Sequence, residues 1–119
     1  MDQSNIYTEQ RPWGNFERFT HNENATVKII TVTANEALSL QSHTKRDEFW
    51  KVLSGAGTVE LNDMSIPTEP GSTFSVPRGT KHRVTAGPDG IQFLEIATGE
   101  FDEHDIIRYD DRYGRASSA

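Results

Sequence analysis

Three polar residues near the middle of the chain have the types and spacing of metal ligands. Gln41 and His43 end an alternating run that begins at Ala37, and in an extended chain residues two apart point to the same side. Glu48 joins them if the chain turns back after Arg46. The sequence therefore predicts a cup formed by an amide, an imidazole and a carboxylate.

A second stretch adds a fourth ligand to this cup. The predicted strand Ser72 to Val76 stops at the Pro-x-Gly turn of Pro77 and Gly79, and His82 follows just beyond it. Burying such groups without partners costs several kcal/mol, so a bound metal explains their convergence. Two imidazoles, a carboxylate and an amide oxygen suit one divalent ion, with Zn²⁺ first and Mn²⁺, Fe²⁺, Co²⁺ or Ni²⁺ also compatible.

The rest of the chain predicts an all-β fold that positions these residues. About eight or nine short segments rich in β-branched residues alternate with turn signals, and no long helical pattern is present. We therefore expect a double-sheet jelly-roll barrel, in which Trp13 and Trp50 pack in the core and residues 1–10 form a fraying arm. The predicted strands are Asn15–Thr20, Thr26–Thr33, Ala37–His43, Glu48–Ser54, Thr58–Leu61, Met64–Ile66, Ser72–Val76, His82–Ala86 and Ile91–Ala97.

Length and composition limit the possible functions. The 119 residues predict a single domain, 1–119, with a core over about 11–98 and a tail, 99–119, that packs on the barrel. With no cysteine, any metal must bind nitrogen and oxygen, and a net charge of −6 argues against nucleic acid. There is no signal-peptide pattern and no long apolar run, so we expect a soluble cytoplasmic protein without membrane contact.

The spacings Q-x-H-x4-E-x6-G and G-x5-P-x-G-x2-H resemble the two motifs of the cupin superfamily, with Gln41 in place of the usual first histidine. The runs RPWGNFER, LSLQSHTKRDEFWKVLSGAGTVEL, FSVPRGTKHR and DIIRYDDRYGR are similar to the C-terminal cupin domain of type II phosphomannose isomerases, bifunctional enzymes that also carry a mannose-1-phosphate guanylyltransferase domain. The resemblance spans residues 11–115. It implies a cupin double-stranded β-helix that is often dimeric, so a homodimer is expected.

The resemblance implies an isomerase that interconverts mannose 6-phosphate and fructose 6-phosphate through a cis-enediol. It assigns the metal to Gln41, His43, Glu48 and His82, and the tail resembles the stretch that carries the catalytic arginine of type I enzymes, here Arg108. Two departures concern the sugar pocket: the family usually has H-H-H-R where this chain has His43 to Arg46, and E-H-W where it has Glu48 to Trp50.

The chemistry needs an electrophile, a phosphate anchor and a base. A metal polarises the carbonyl, and arginines bind the phosphate or enediolate oxygens. Arginine stays protonated, so the base is left open between Glu48, a metal-bound hydroxide and His104. The predicted catalytic residues are Arg46, Glu48 and Arg108, and the predicted substrate-binding residues are Lys45, Arg46, Arg83 and Arg112.

Two other functions are compatible with the sequence. One is another metal-dependent cupin enzyme, such as an Fe(II) oxygenase, and the other is a metal-holding sugar-binding or regulatory module without turnover. For the tail, the alternative is that Arg108, Arg112 and Arg115 only pair with neighbouring aspartates on the surface.

Overall fold

The all-β prediction is confirmed by a computed structural model that describes residues 5–115. Within this range there is no α-helix, and hence no helix long and apolar enough to cross a membrane. The strands are β1 Tyr7–Arg11, β2 Gly14–Arg18, β3 Ala25–Val32, β4 Leu40–Ser42, β5 Arg46–Leu61, β6 Met64–Pro67, β7 Thr73–Val76, β8 His82–Gly99 and β9 Ile107–Asp110.

The two longest strands, β5 and β8, form the frame of the fold. They pair antiparallel from Arg46 opposite Gly99 to Leu61 opposite His82, with bulges near the middle. Gly55 lies at these bulges with a φ of 73°, and a Cβ there would be 2.2 Å from the carbonyl oxygen of Gly90. Glycine is required at this close approach, because bulges bend a strand and bring backbones together. The bend lets β5 and β8 curve around the core.

The other strands add to this pair and place the site. The seven-stranded sheet has the order β6-β5-β8-β4-β9, with β3 also paired to β8 and β7 to β5. Through β4, Gln41 lies opposite both His82 of β8 and Arg108 of β9. The sheet therefore brings three distant parts of the chain together at β4.

The core is enclosed by this curved sheet. Trp50 and Phe93 are fully buried, and their ring centroids are 5.3 Å apart. Large aromatic side chains contribute most of the buried apolar area in such a core. The ring of His82 is also 5.3 Å from the ring of Trp50, so the core directly supports a predicted ligand. The buried cluster consists of Val32, Trp50, Val52, Val59, Phe74, Val76, Val84, Ala86, Ile91 and Phe93.

The N-terminal part differs from its prediction. Residues 7–10, expected in a fraying arm, form β1 together with Arg11 and pair with β2 as a separate hairpin, while residues 1–4 of the predicted arm lie outside the described range. Trp13 lies in the turn between them and is 73% exposed, so its predicted core packing is wrong. The turn holds Trp13 away from the barrel, and the aromatic type of the residue alone does not determine burial. Lys51 of β5 forms an ion pair with Glu17 of β2.

One predicted hairpin agrees with the structure, and two predicted strands prove to be a single strand. The hairpin at Asn62 is confirmed, since Leu61 pairs with Met64 and Asn62 has a φ of 51°. The two strands expected on either side of Gly87 to Gly90 are one continuous strand, β8, because both halves pair with β5. In the tail, residues 107–110 form β9 against β4.

Candidate metal centre

His43, Glu48 and His82 come together inside the fold. One ligand atom from each lies within 4.8 Å of the others, and the side chains are only 4%, 2% and 2% exposed. His43 Nε2 is 3.6 Å from Glu48 Oε2. Buried histidines and carboxylates are expected to be paired or to bind a metal. The grouping is therefore a candidate metal centre, as the spacing of these three residues predicted.

Local structure explains how each ligand reaches the centre. His43 directly follows β4, Glu48 lies in β5 and His82 begins β8. The turn before His82 contains Gly79, whose φ is 85° and whose N–H donates to the carbonyl oxygen of His43 at 2.7 Å. Only glycine adopts such a φ without strain. The Pro-x-Gly turn thus ties one ligand segment to the other.

Hydrogen bonds to backbone carbonyls select the tautomer of both histidines. His43 Nδ1 is 2.7 Å from the carbonyl oxygen of Asp105, and His82 Nδ1 is 2.9 Å from that of Thr80. A carbonyl oxygen only accepts, so each Nδ1 must carry the hydrogen. Each Nε2 therefore presents a lone pair to the centre, as a metal ligand requires.

The protonation states also suit a metal. Burial lowers the pKa of His43 and of His82, which keeps both rings neutral. Burial alone would raise the pKa of Glu48, but the hydrogen bond from Arg46 and its positive charge outweigh burial, so the pKa of Glu48 lies below the usual range. Two neutral imidazoles and an ionised carboxylate are the forms in which these side chains bind metal.

One atom of the centre is without a partner. Among the described residues, His82 Nε2 is buried and makes no hydrogen bond. A buried polar atom left unsatisfied costs free energy, and this one faces the other ligands. A divalent ion would satisfy it, so the residues present fit a metal. Gln41 remains a candidate fourth ligand: its Oε1 accepts a hydrogen bond from Ser39 Oγ at 2.8 Å.

Neighbouring residues hold the ligands in place. Trp50 Nε1 donates to Glu48 Oε1 at 3.0 Å, so Trp50 combines its predicted core role with a contact to the centre. The carboxylate of Asp105 accepts hydrogen bonds from Thr44 N at 3.0 Å and Lys45 N at 2.9 Å. The segment after β8 thus fixes both the ring of His43 and the loop that follows it.

Arg46 lies elsewhere than predicted. It was expected in a loop at the barrel mouth, but it begins β5 and is 7% exposed. Its Nε donates to Glu48 Oε2 at 2.8 Å, and its Nη2 donates to His43 Nε2 at 3.1 Å. The guanidinium also lies over the ring of Phe101, 4.2 Å from the centroid. Arg46 is therefore part of the buried centre, and its replacement should affect stability as well as function.

A cavity of about 180 Å³ adjoins the centre. Arg108 contributes to its wall, and its Nε is buried without a hydrogen-bond partner among the described residues. A guanidinium in the wall of a cavity is suited to an anionic ligand. The lining residues are Lys28, Ile30, Leu38, Gln41, His43, Arg46, Glu95, Phe101, Glu103, Ile106 and Arg108. A larger cavity, of about 300 Å³, is lined by residues of β3, β5 and β8 and contains none of the predicted site residues.

Glu95 is a site residue that sequence reasoning missed. It lies in β8, is 7% exposed and lines the cavity. Burial and the adjacent Glu48 carboxylate raise the pKa of Glu95 to about 7. The signal was present in the sequence, because Glu95 alternates with the inward residues Phe93 and Ala97 and is the one polar residue in the run 93–97. A carboxyl group at such a position is either a paired structural group or a functional one.

The raised pKa of Glu95 predicts a pH-dependent stability. Because the folded pKa lies above the ordinary 4.5, the protonated form stabilises the fold, and this contribution is lost as pH rises from about 4.5 to about 7. In chelator-treated protein, Glu95→Gln should therefore become more stable than wild type with rising pH, by up to roughly 3 kcal/mol. Urea unfolding at pH 5 and pH 8 measures this, with the exposed Glu100→Gln as control. An equal pH dependence in wild type and Glu95→Gln would contradict the prediction.

Several predicted substrate-binding residues lie outside the cavity. The side chain of Lys45 is exposed. Arg83 pairs with Asp110 at 3.0 Å, and Arg112 donates to the carbonyl oxygen of Asn35 at 2.7 Å. His104, one of the candidate bases, is exposed and does not line the cavity. Of the predicted site residues, the structure brings together Gln41, His43, Arg46, Glu48, His82 and Arg108.

The family model described as mannose-6-phosphate isomerase C-terminal matches residues 2–111. The chain belongs to this family. The resemblance seen in the sequence motifs is thereby confirmed, and it extends over most of the chain. Membership indicates a domain of sugar-phosphate metabolism.

Curated relatives of this family domain are much longer proteins. The chain is 38% identical over 108 residues to the xanthan biosynthesis protein XanB of Xanthomonas campestris, covering 88% of this chain and 23% of that protein. It is 36% identical over 110 residues to the alginate biosynthesis protein AlgA of Pseudomonas aeruginosa, covering 90% and 23%. It is 34% identical over 107 residues to the mannose-1-phosphate guanylyltransferase ManC of Salmonella typhimurium, covering 88% and 22%. The chain thus spans less than a quarter of each of these proteins.

Solved structures confirm the cupin fold of this family domain. A cupin protein from Bacteroides fragilis is 24% identical with a TM-score of 0.59, covering 68% of this chain and 74% of that one. KdgF from Halomonas is 20% identical with a TM-score of 0.62, covering 72% and 78%. Streptomyces PAC13, solved with uridine, is 15% identical with a TM-score of 0.65, covering 92% and 89%. At these identities the likeness concerns the fold alone.

Proposed function

We propose that this family domain is a metal-dependent aldose-ketose isomerase that interconverts mannose 6-phosphate and fructose 6-phosphate. The observation that carries the proposal is one cavity whose wall contains two candidate metal ligands, Gln41 and His43, together with Arg108, whose Nε makes no hydrogen bond among the described residues. A phosphosugar presents both a carbonyl for a Lewis acid and an anion for a guanidinium. The family match favours this substrate class.

His43, Glu48 and His82, with Gln41 as the fourth candidate, would hold one divalent ion, for which Zn²⁺ is the first expectation. The ion would polarise the sugar carbonyl and stabilise negative charge on the oxygens at C1 and C2. The protein contributes the fixed tautomers of His43 and His82, set by the carbonyl oxygens of Asp105 and Thr80. It also excludes water from the ligands, because all three of the clustered side chains are buried.

Arg108 is proposed to bind the phosphate or the enediolate oxygens. Its strand, β9, lies directly beside Gln41 on β4, so an anion held by Arg108 is next to the metal ligands. The guanidinium offers two parallel N–H groups, a geometry that suits two oxygens of one anion. Arg46, which also lines the cavity, is a second candidate for this contact.

Glu95 is the group best placed to move the proton. It lines the cavity, whereas the two oxygens of Glu48 already accept hydrogen bonds from Trp50 and Arg46. In the direction from aldose to ketose, a carboxylate takes the proton from C2, the C–H electron pair becomes the C1–C2 double bond of the enediol, and O1 gains a proton. The carboxylic acid then returns a proton to C1 while O2 loses its proton and the carbonyl forms at C2, so that overall one proton moves from C2 to C1 and one from O2 to O1. In the metal-free chain the pKa of Glu95 is about 7, so both its forms are accessible there near neutral pH.

The proposal is tested by nuclear magnetic resonance of mannose 6-phosphate in D₂O with the metal-loaded protein. We expect fructose 6-phosphate to appear and deuterium to enter at C1 or C2, because the transferred proton exchanges with solvent at the base. Chelator-treated protein is the matched control. Saturable binding of mannose 6-phosphate without conversion or exchange would favour the non-catalytic module, and oxygen consumption with a candidate substrate would favour an oxygenase. The guanylyltransferase activity named for the longer relatives is not proposed for this chain.

A further inference from the structure

The guanidinium of Arg46 touches two candidate metal ligands at once. Arg46 Nε is 2.8 Å from Glu48 Oε2, and Arg46 Nη2 is 3.1 Å from His43 Nε2. The two acceptor atoms differ in whether they can bind a metal ion while they accept from Arg46. A carboxylate oxygen has two lone pairs, so Glu48 Oε2 can bind an ion while it still accepts from Arg46. His43 Nε2 has only one lone pair, so it cannot do both.

The tautomer of His43 makes its bond to Arg46 exclusive. Because Nδ1 donates to the carbonyl oxygen of Asp105, Nε2 carries the single lone pair of the neutral ring. That lone pair accepts the hydrogen bond from Arg46 Nη2. A metal ion needs the same lone pair, so only one of the two partners can have it.

We propose that Arg46 and the metal ion exclude one another at His43 Nε2, so that metal binding releases one edge of the Arg46 guanidinium. This inference rests on the metal-dependent function proposed above. The rest of the side chain has anchors that do not compete with the ion: Glu48 Oε2, the carbonyl oxygen of Asp102 at 3.3 Å and the ring of Phe101. Arg46 therefore stays in the cavity wall, and the released N–H groups become available to an anion there.

The consequence is a coupling between metal and anion through one side chain. In the metal-free chain the guanidinium is engaged with His43, and in the metal-loaded chain its free edge can bind phosphate oxygens. By linkage, whatever holds Arg46 away from His43 also strengthens metal binding. The metal affinity of wild type therefore includes the cost of breaking the bond between Arg46 and His43.

The first test is the Zn²⁺ affinity of the chelator-treated protein, measured by competition calorimetry. Arg46→Met has no donor for His43 and should bind Zn²⁺ at least about ten-fold more tightly, because a hydrogen bond from a charged group is lost from the competing state. Arg46→Lys keeps the charge but has one ammonium in place of the two-donor fork, so it should also bind more tightly than wild type. The control is Arg78→Met, an exposed arginine that pairs with Asp47.

The outcomes separate this inference from the proposed function. Tighter binding by both Arg46 variants but not by Arg78→Met supports it. Tighter binding by Arg46→Met alone, with Arg46→Lys equal to wild type, assigns the effect to charge and overturns the exclusion at His43. Unchanged affinity in both variants overturns this inference and leaves the metal site standing, whereas no Zn²⁺ binding by any of the proteins overturns both proposals.

A second measurement uses wild type, so it does not depend on the folding of a variant. Nuclear magnetic resonance of ¹⁵N-labelled protein follows the Arg46 side chain during Zn²⁺ titration. We expect the Nε–H signal to stay protected from solvent exchange, because its bond to Glu48 can persist, while the Nη2 hydrogens exchange faster once the ion is bound. Equal protection of the Nη2 hydrogens with and without Zn²⁺ overturns the inference.

Discussion

His82→Ala and His43→Ala should each remove the bound divalent ion. Loss of either ring takes away one of the three clustered ligands and leaves only one imidazole and one carboxylate of that cluster to hold the ion. Disturbing groups that only orient metal ligands typically weakens binding by about 10 to 100-fold, so loss of a ligand itself should cost at least about 100-fold. Metal content after dialysis and Zn²⁺ titration measure the effect.

The chain supplies matched controls for this experiment. It has four histidines, and the other two, His21 and His104, are exposed and lie outside the cluster. His21→Ala and His104→Ala should retain full metal content. If His43→Ala and His82→Ala also keep one ion per chain with wild-type affinity, the assignment of the centre is wrong.

Arg108→Ala should lower the isomerisation rate by about 100-fold or more with metal content unchanged. The expected loss is that of a preorganised charged donor in a site from which water is excluded. Arg108→Lys is the finer variant, because it keeps the charge but loses the planar fork. It should remain well below wild type if Arg108 holds two oxygens of one anion. Steady-state kinetics with mannose 6-phosphate gives kcat and KM for each variant.

Arg115→Ala is the control for this prediction. Arg115 belongs to the same segment of the chain but is exposed and pairs with Asp111 at 2.9 Å, so its loss should leave turnover at the wild-type level. Wild-type turnover by both Arg108 variants would reduce Arg108 to a structural residue of β9, and the cavity would then need another anion-binding group.

The local features of this protein were predictable from its sequence. Alternation along an extended chain placed Gln41 and His43 on one side, and both line the cavity. The Pro-x-Gly turn was visible as a pattern, and its glycine has the positive φ that such turns use. The hairpin turn at Asn62 was likewise visible as a sequence pattern, and Asn62 also has a positive φ. These features depend on neighbouring residues, so sequence patterns report them directly.

The protonation states, tautomers and burial of the site residues depend on residues far apart in the chain. The pairing of β5 with β8 brings Glu95 next to Glu48, and this proximity contributes to the raised pKa of Glu95. The carbonyl oxygen of Asp105 selects the tautomer of His43, although nothing in the residues around His43 indicates that contact. Arg46 looked like a loop residue because its burial arises from Phe101 and Asp102 after β8.

The sequence by itself thus determined the ligand types, the turn that delivers His82 and the all-β class. Only the tertiary structure decided which lone pairs face the centre, which carboxyl group has a raised pKa and which arginines line the cavity beside the candidate ligands. The physical reason is that protonation and hydrogen bonding depend on burial and on the nearest charges. In a fold of long paired strands, those neighbours come from distant parts of the chain.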